Sequence, residues 1–122
     1  MNRITIEISP GEFLDRLAIL CVKRDRMGQV AALLKEIDAL ECHLDRSLQE
    51  CAWLHELMAL HRQMWDINEQ RKHLAAARLF TKRYLELTVL ESEWNNQRWR
   101  IKNRINQHCG SELRELKSAV CQ

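Results

Sequence analysis

Phe80, Leu87, Trp94 and Ile101 stand seven residues apart, and Tyr84, Leu90 and Ile105 fill the same side. That recurrence is the mark of an amphipathic helix packed in a bundle. It predicts one helix from Phe80 to His108, roughly 43 Å long and the longest element expected of the chain. Three glycines and one proline in 122 residues leave few places to interrupt helices elsewhere. With 46% hydrophobic residues the chain can bury one core, so residues 1–122 read as a single all-α domain.

The same helix carries a second, polar line. Glu91, Asn95, Arg98 and Lys102 follow one another by four, three and four. At about 100° per residue they fall between the Leu87/Trp94/Ile101 edge and Trp99, away from the outer face of Glu86, Glu93, Arg100 and Arg104. If the line faces another helix, each group needs a partner, because an unpaired buried charge costs about 3–5 kcal/mol. Glu12, Asp15, Asp66 and Glu69 are the natural partners for Arg98 and Lys102. Such a row serves either as a buried network that fixes helix register or as an anion or sugar pocket with Arg98 as fork donor. These eight residues are the candidate ligand-binding set.

Earlier in the chain, Ile4, Ile6 and Ile8 alternate with Thr5 and Glu7, a short strand pattern with no second strand to pair with. It is expected to lie extended across the bundle, with exchange between two copies as the lesser reading. Ser9-Pro10-Gly11-Glu12 is a helix start: a capping serine, a proline where no N–H is needed, and Glu12 to close the capping box. The helix it opens carries Phe13, Leu14, Leu17, Leu20 and Cys21 inward and ends near Gly28. Glu12, Asp15, Lys23 and Arg26 align around Ile19, and taken alone that line reads as a solvated face.

A second helix is expected over residues 29–46 on Val30, Leu33, Ile37, Leu40 and Leu44. Ser47-Leu48-Gln49-Glu50 is a second capping box. The third helix carries Leu54, Leu57, Met58, His61, Met64, Trp65 and Ile67 and runs into Leu74-Ala75-Ala76-Ala77, where nothing forces a stop. Gly110 fits the end of the long helix, and Ser111 caps a short fifth helix carrying Leu113, Leu116 and Val120. The expected fold is an antiparallel four-helix bundle with a short C-terminal fifth helix and an N-terminal extended segment.

Charge is uneven. Residues 1–70 hold 8 Lys/Arg against 12 Asp/Glu, and residues 71–122 hold 11 against 5. An acidic half folding on a basic half accounts for this, while a basic surface for nucleic acid, lacking any binding motif, stands third among the functional readings. Five cysteines without a C-x-x-C pair argue against a secreted disulfide scaffold, no apolar run reaches transmembrane length, and MNRITIEISP is no signal peptide. The expected compartment is the cytoplasm.

Cys51 and His55 lie one helical turn apart, but no second pair completes a zinc site, so no metal site is assigned. Asp66 and Glu69, joined by Glu91 or Glu12/Asp15, imitate the carboxylates with which all-helical nucleotide pyrophosphohydrolases hold magnesium, without their E-x-x-E and E-x-x-D spacing. No motif calls for a cofactor. Trp99, between Arg98 and Arg100, is a candidate stacking surface.

Three blocks together, I-S-P-G-E-F-L-D-R-L-A-I-L (8–20), M-W-D-I (64–67) and N-N-Q-R-W-R-I-K-N-R-I-N…G-S-E-L-R-E-L-K-S (95–118), resemble an uncharacterised bacterial family of small all-helical proteins. Its members show S-P-G-E-L-I/L-D, L-W-D-I-E-D, N-D-x-R and G-S-x-L-x-E-E-K-S-Y in that order. The resemblance carries over Ser9, Pro10, Gly11, Glu12, Asp15, Trp65, Asp66, Asn95, Arg98, Lys102, Asn106, Lys117 and Ser118. This chain departs from the pattern at Asn68, Leu116 and Ala119. The family is associated with glycosyltransferases and surface-polysaccharide gene clusters. The resemblance therefore implies an accessory role beside glycan assembly, and the expected function is a non-enzymatic binding or scaffold protein, homo-oligomeric, working with a glycosyltransferase partner. The rival reading is a small metal-dependent enzyme acting on a nucleotide or nucleotide-sugar.

Overall fold

The computed structural model describes residues 2–112 and contains four α-helices: α1 (Pro10–Met27), α2 (Ala31–Glu41), α3 (Leu48–Ala76) and α4 (Lys82–His108). The expected fifth helix, with Leu113, Leu116 and Val120, lies outside the described residues, as do Lys117 and Ser118. None of the described helices is long and apolar enough to cross a membrane.

Both serine caps form. The Ser9 hydroxyl accepts from the Glu12 N–H at 3.1 Å, with Pro10 in the first turn. The Ser47 hydroxyl accepts from the Glu50 N–H at 3.1 Å, and Glu50 accepts from the Asp45 N–H at 2.7 Å. Neither glutamate reaches the N–H of its capping serine: Glu50 takes Asp45 instead, and the Glu12 carboxylate goes to Arg16 and Lys102. Helices α3 and α4 end in the same left-handed cap. The Arg78 and Leu79 N–H groups turn back to Ala75 and Leu74, and those of Gly110 and Ser111 to Gln107 and Asn106. The left-handed residue is Gly110 (φ 64°) in one and Arg78 (φ 56°) in the other.

Several boundaries differ from expectation. Helix α4 starts at Lys82, so Phe80 falls in the loop, exposed, with its ring edge-on to Tyr84 at 5.2 Å. At 29 residues α3 exceeds the 27 of α4. Helix α2 is shorter than residues 29–46, and Val30 is exposed. Residues 2–8 form no strand and do not lie across the bundle, since Ile4 is 77% exposed and Ile6 66%. A lone extended segment without a partner strand gains little by packing edge-on against helices.

Helix α1 is central: it packs on α2, α3 and α4, and α3 packs on α4. Side-chain pairs give the directions. Arg104 meets Glu56 and Arg83 meets Gln70, so α3 and α4 are antiparallel. Arg98 meets Asp15, so α4 is antiparallel to α1, while His61–Asp15 and Arg26–Asp66 set α1 parallel to α3. The chain therefore runs up, down, up and down. Leu14, Leu17, Ala18 and Val22 of α1, Leu57 and Leu60 of α3, Ile37 of α2 and Ile105 of α4 form the core.

Candidate functional site

Close approach of α1 and α4 creates the site. At Gly11 a Cβ would sit 2.4 Å from the Lys102 carbonyl oxygen, so only glycine admits this contact. The Gly11 N–H donates to Asn106 Oδ1 at 2.7 Å, and Asn106 is fully buried. One turn further on, Asp15 is also fully buried.

Asp15 is surrounded by donors from two other helices. Arg98 Nε lies 3.0 Å from both carboxylate oxygens, and Arg98 Nη2 lies 2.7 Å from Oδ2. His61 Nε2 of α3 lies 2.7 Å from Oδ1. The buried Lys102 ammonium stands 3.8 Å from Oδ2 and 2.7 Å from Glu12, which also takes Arg16 at 3.0 Å. Two acidic groups of α1 thus hold two cations of α4, with His61 completing the set from α3.

These contacts fix protonation. Burial, the largest influence on Asp15, favours its neutral form, yet hydrogen bonds from His61 and Arg98 and the Arg98 charge outweigh it and hold its pKa below the ordinary value. Glu12 behaves alike: burial raises its pKa, and Lys102 and Arg16 more than reverse that. An ionised Asp15 only accepts, so His61 donates to it through Nε2.

Beside this network lies a groove of about 200 Å³. Ile19, Val22, Met64 and Trp65 give it apolar walls, and Lys23, His61, Asn68 and Arg98 its polar groups. Pockets for whole drug-sized ligands are about 300–1,000 Å³, so this one suits a single ring or anionic group.

The eight candidate residues do not form one site. Glu12, Asp15, Arg98 and Lys102 come together. Asp66 instead pairs with Arg26 at 2.9 Å and Glu69 with Lys72 at 3.7 Å, so neither is the expected partner of Arg98 or Lys102. Both lie on α3 beyond the level of the network. Glu91 pairs with Arg71, whose guanidinium also lies over the Tyr84 ring at 5.5 Å. Asn95 is half-buried and outside the Asp15 cluster. Asp15 is also no part of a solvated face. Trp65 lines the groove, whereas Trp99 is half-buried and does not.

Cys51 is half-buried and His55 exposed, and among the described residues no three His, Cys, Asp or Glu side chains are placed to hold a metal ion. His61, Lys23 and Asn68 are the polar groove residues absent from the candidate set read from the sequence. His61 carries a signal, since a histidine within the apolar stripe of Leu57, Leu60 and Met64 needs a buried partner. Lys23 carries none. No family model, curated protein or solved structure matches this chain, so what the site does must be read from its own residues.

Proposed function

We propose that this chain is a non-enzymatic binding or scaffold protein, accessory to the glycosyltransferase machinery of surface-glycan assembly. The observation that carries the binding part is the groove beside the Asp15 network. Apolar walls, one tryptophan and a few polar groups on rigid helices suit recognition of a ring or an anionic group. The carboxylates available for metal-assisted chemistry are instead committed to separate ion pairs: Asp66 with Arg26, Glu69 with Lys72 and Glu91 with Arg71. The glycan setting rests on the family resemblance alone. Exposed Ile4 and Ile6 favour self-association, and removal of residues 1–8 should then lower the mass measured by light scattering.

Affinity capture from cells expressing the neighbouring glycan genes tests this reading. Recovery of a glycosyltransferase, lost when Trp65→Ala and Lys23→Glu alter the groove, supports it; capture without one opposes it. One observation favours a small enzyme on a nucleotide or nucleotide-sugar. His61, held through Nε2 by a buried carboxylate at the groove, has the arrangement of a general base. Turnover of nucleotide-sugars or triphosphates with magnesium, abolished by His61→Asn, would establish that reading instead.

A further inference from the structure

The α3–α4 hairpin outruns the rest of the fold. Arg26, in the last turn of α1, meets Asp66 of α3 at 2.9 Å. Helix α3 then continues from Ile67 to Ala76, about 15 Å past that level. Ile67 of α3 and Leu87 of α4 are buried but lie outside the main core. At the tip large apolar side chains stand in solvent: Leu79 is 50% exposed, Phe80 67% and Leu85 63%. No acidic residue occurs from Gln70 to Leu85, a stretch that holds Arg71, Lys72, Arg78, Lys82 and Arg83. Arg71 answers Glu91, Lys72 answers Glu69, and Arg83 stands 3.6 Å from Glu86. Arg78 and Lys82 are exposed and form no ion pair among the described residues.

We propose that this tip docks on an anionic lipid surface, with Phe80, Leu79 and Leu85 entering the headgroup boundary while Arg78 and Lys82 meet lipid phosphates. Aromatic and aliphatic side chains beside unpaired cations on a narrow protrusion fit an interface that is apolar below and negative above. A symmetric pairing of two tips would set Arg78 and Lys82 against their own copies, and like charges directly opposed repel. Nucleic acid would use the cations but leave the aliphatic groups in water.

The test is co-sedimentation of the full chain with vesicles of equal parts phosphatidylcholine and phosphatidylglycerol, against phosphatidylcholine alone. Binding to the anionic vesicles is expected, falling with added salt. Near the surface each cation contributes about five-fold in affinity, so R78Q/K82Q should weaken binding about 25-fold. F80S should weaken it further while leaving the circular dichroism spectrum unchanged and lowering the unfolding midpoint only slightly, since Phe80 lies outside the core and loses just its edge contact with Tyr84. Absence of binding to the anionic vesicles overturns the proposal, and so does binding that both variants retain. A concentration-dependent dimer that F80S abolishes assigns the tip to a second copy and equally overturns it.

Discussion

Arg98 grips Asp15 from 83 positions away in the chain, its Nε 3.0 Å from both carboxylate oxygens and its Nη2 2.7 Å from Oδ2. The carboxylate is fully buried, whereas the Arg98 side chain keeps 29% of its exposure. Removing the carboxylate charge is therefore the costlier change, because it leaves Arg98 and the buried Lys102 facing an uncharged amide. Asp15→Asn should lower stability by about 3 kcal/mol, and Arg98→Met by about half as much, since Asp15 keeps His61 and Lys102. Chemical denaturation followed by far-ultraviolet circular dichroism measures both. A loss below about 1 kcal/mol for Asp15→Asn would mean that the network does not hold α1 to α4.

The same pair sets the response to acid. Asp15 and Glu12 titrate lower in the folded chain than in the unfolded one, so the unfolded state binds more protons as pH falls. Their contribution is complete above the unfolded carboxylate pKa, about 4, and is lost as pH drops toward the lower folded values. Unfolding midpoints in urea should hold steady through neutrality and fall below about pH 4. Asp15→Asn should flatten that fall. An acid limb that persists unchanged in the variant would place its origin elsewhere.

Gly11 sets how near α1 and α4 can come. Gly11→Ala improves helix propensity by about 1 kcal/mol, but its Cβ would stand 2.4 Å from a backbone oxygen that cannot rotate away. The helices must then separate, weakening the Gly11 N–H to Asn106 bond and spreading the Asp15 cluster. A net loss of about 1–3 kcal/mol is expected, with a faster exchange of the backbone amide proton at position 11. A neutral or stabilising Gly11→Ala would show that the close approach is dispensable.

The serine-capped starts of α1 and α3 and the glycine-marked ends of α1 and α4 are legible in this sequence, whereas the starts of α2 and α4, the end of α3 and many side-chain partners are not. Ser9 and Ser47 act on N–H groups three residues away, so their role is visible locally. Asp15 is different. Its neighbours Glu12, Lys23 and Arg26 are those of a solvated face, and only the approach that Gly11 allows turns its carboxylate into the interface. The pairing of Arg98 and Lys102 with α1 follows from charge and from the position of the stripe. That α3 would send Asp66 to Arg26 and Glu69 to Lys72 depends on the parallel register of α1 and α3, which no local pattern encodes. His61 fills the place expected of those carboxylates, and it donates where they would have repelled Asp15.

The end of α3 is hidden for a reason that can be tested. Arg78 adopts φ 56°, the left-handed conformation that Gly110 supplies in the matching cap of α4. A side chain with a Cβ costs about 1–2 kcal/mol there. Glycine relieves this and returns part of it through the greater freedom of the unfolded chain. Arg78→Gly should therefore raise stability by about 0.5–1 kcal/mol and Tm by about 2–5 °C. Arg78→Gln removes the charge but keeps the Cβ, so it separates backbone relief from relief of repulsion among the basic residues of the tip. If the glutamine variant gains as much as the glycine one, crowding of charge and not backbone conformation is what strains this turn.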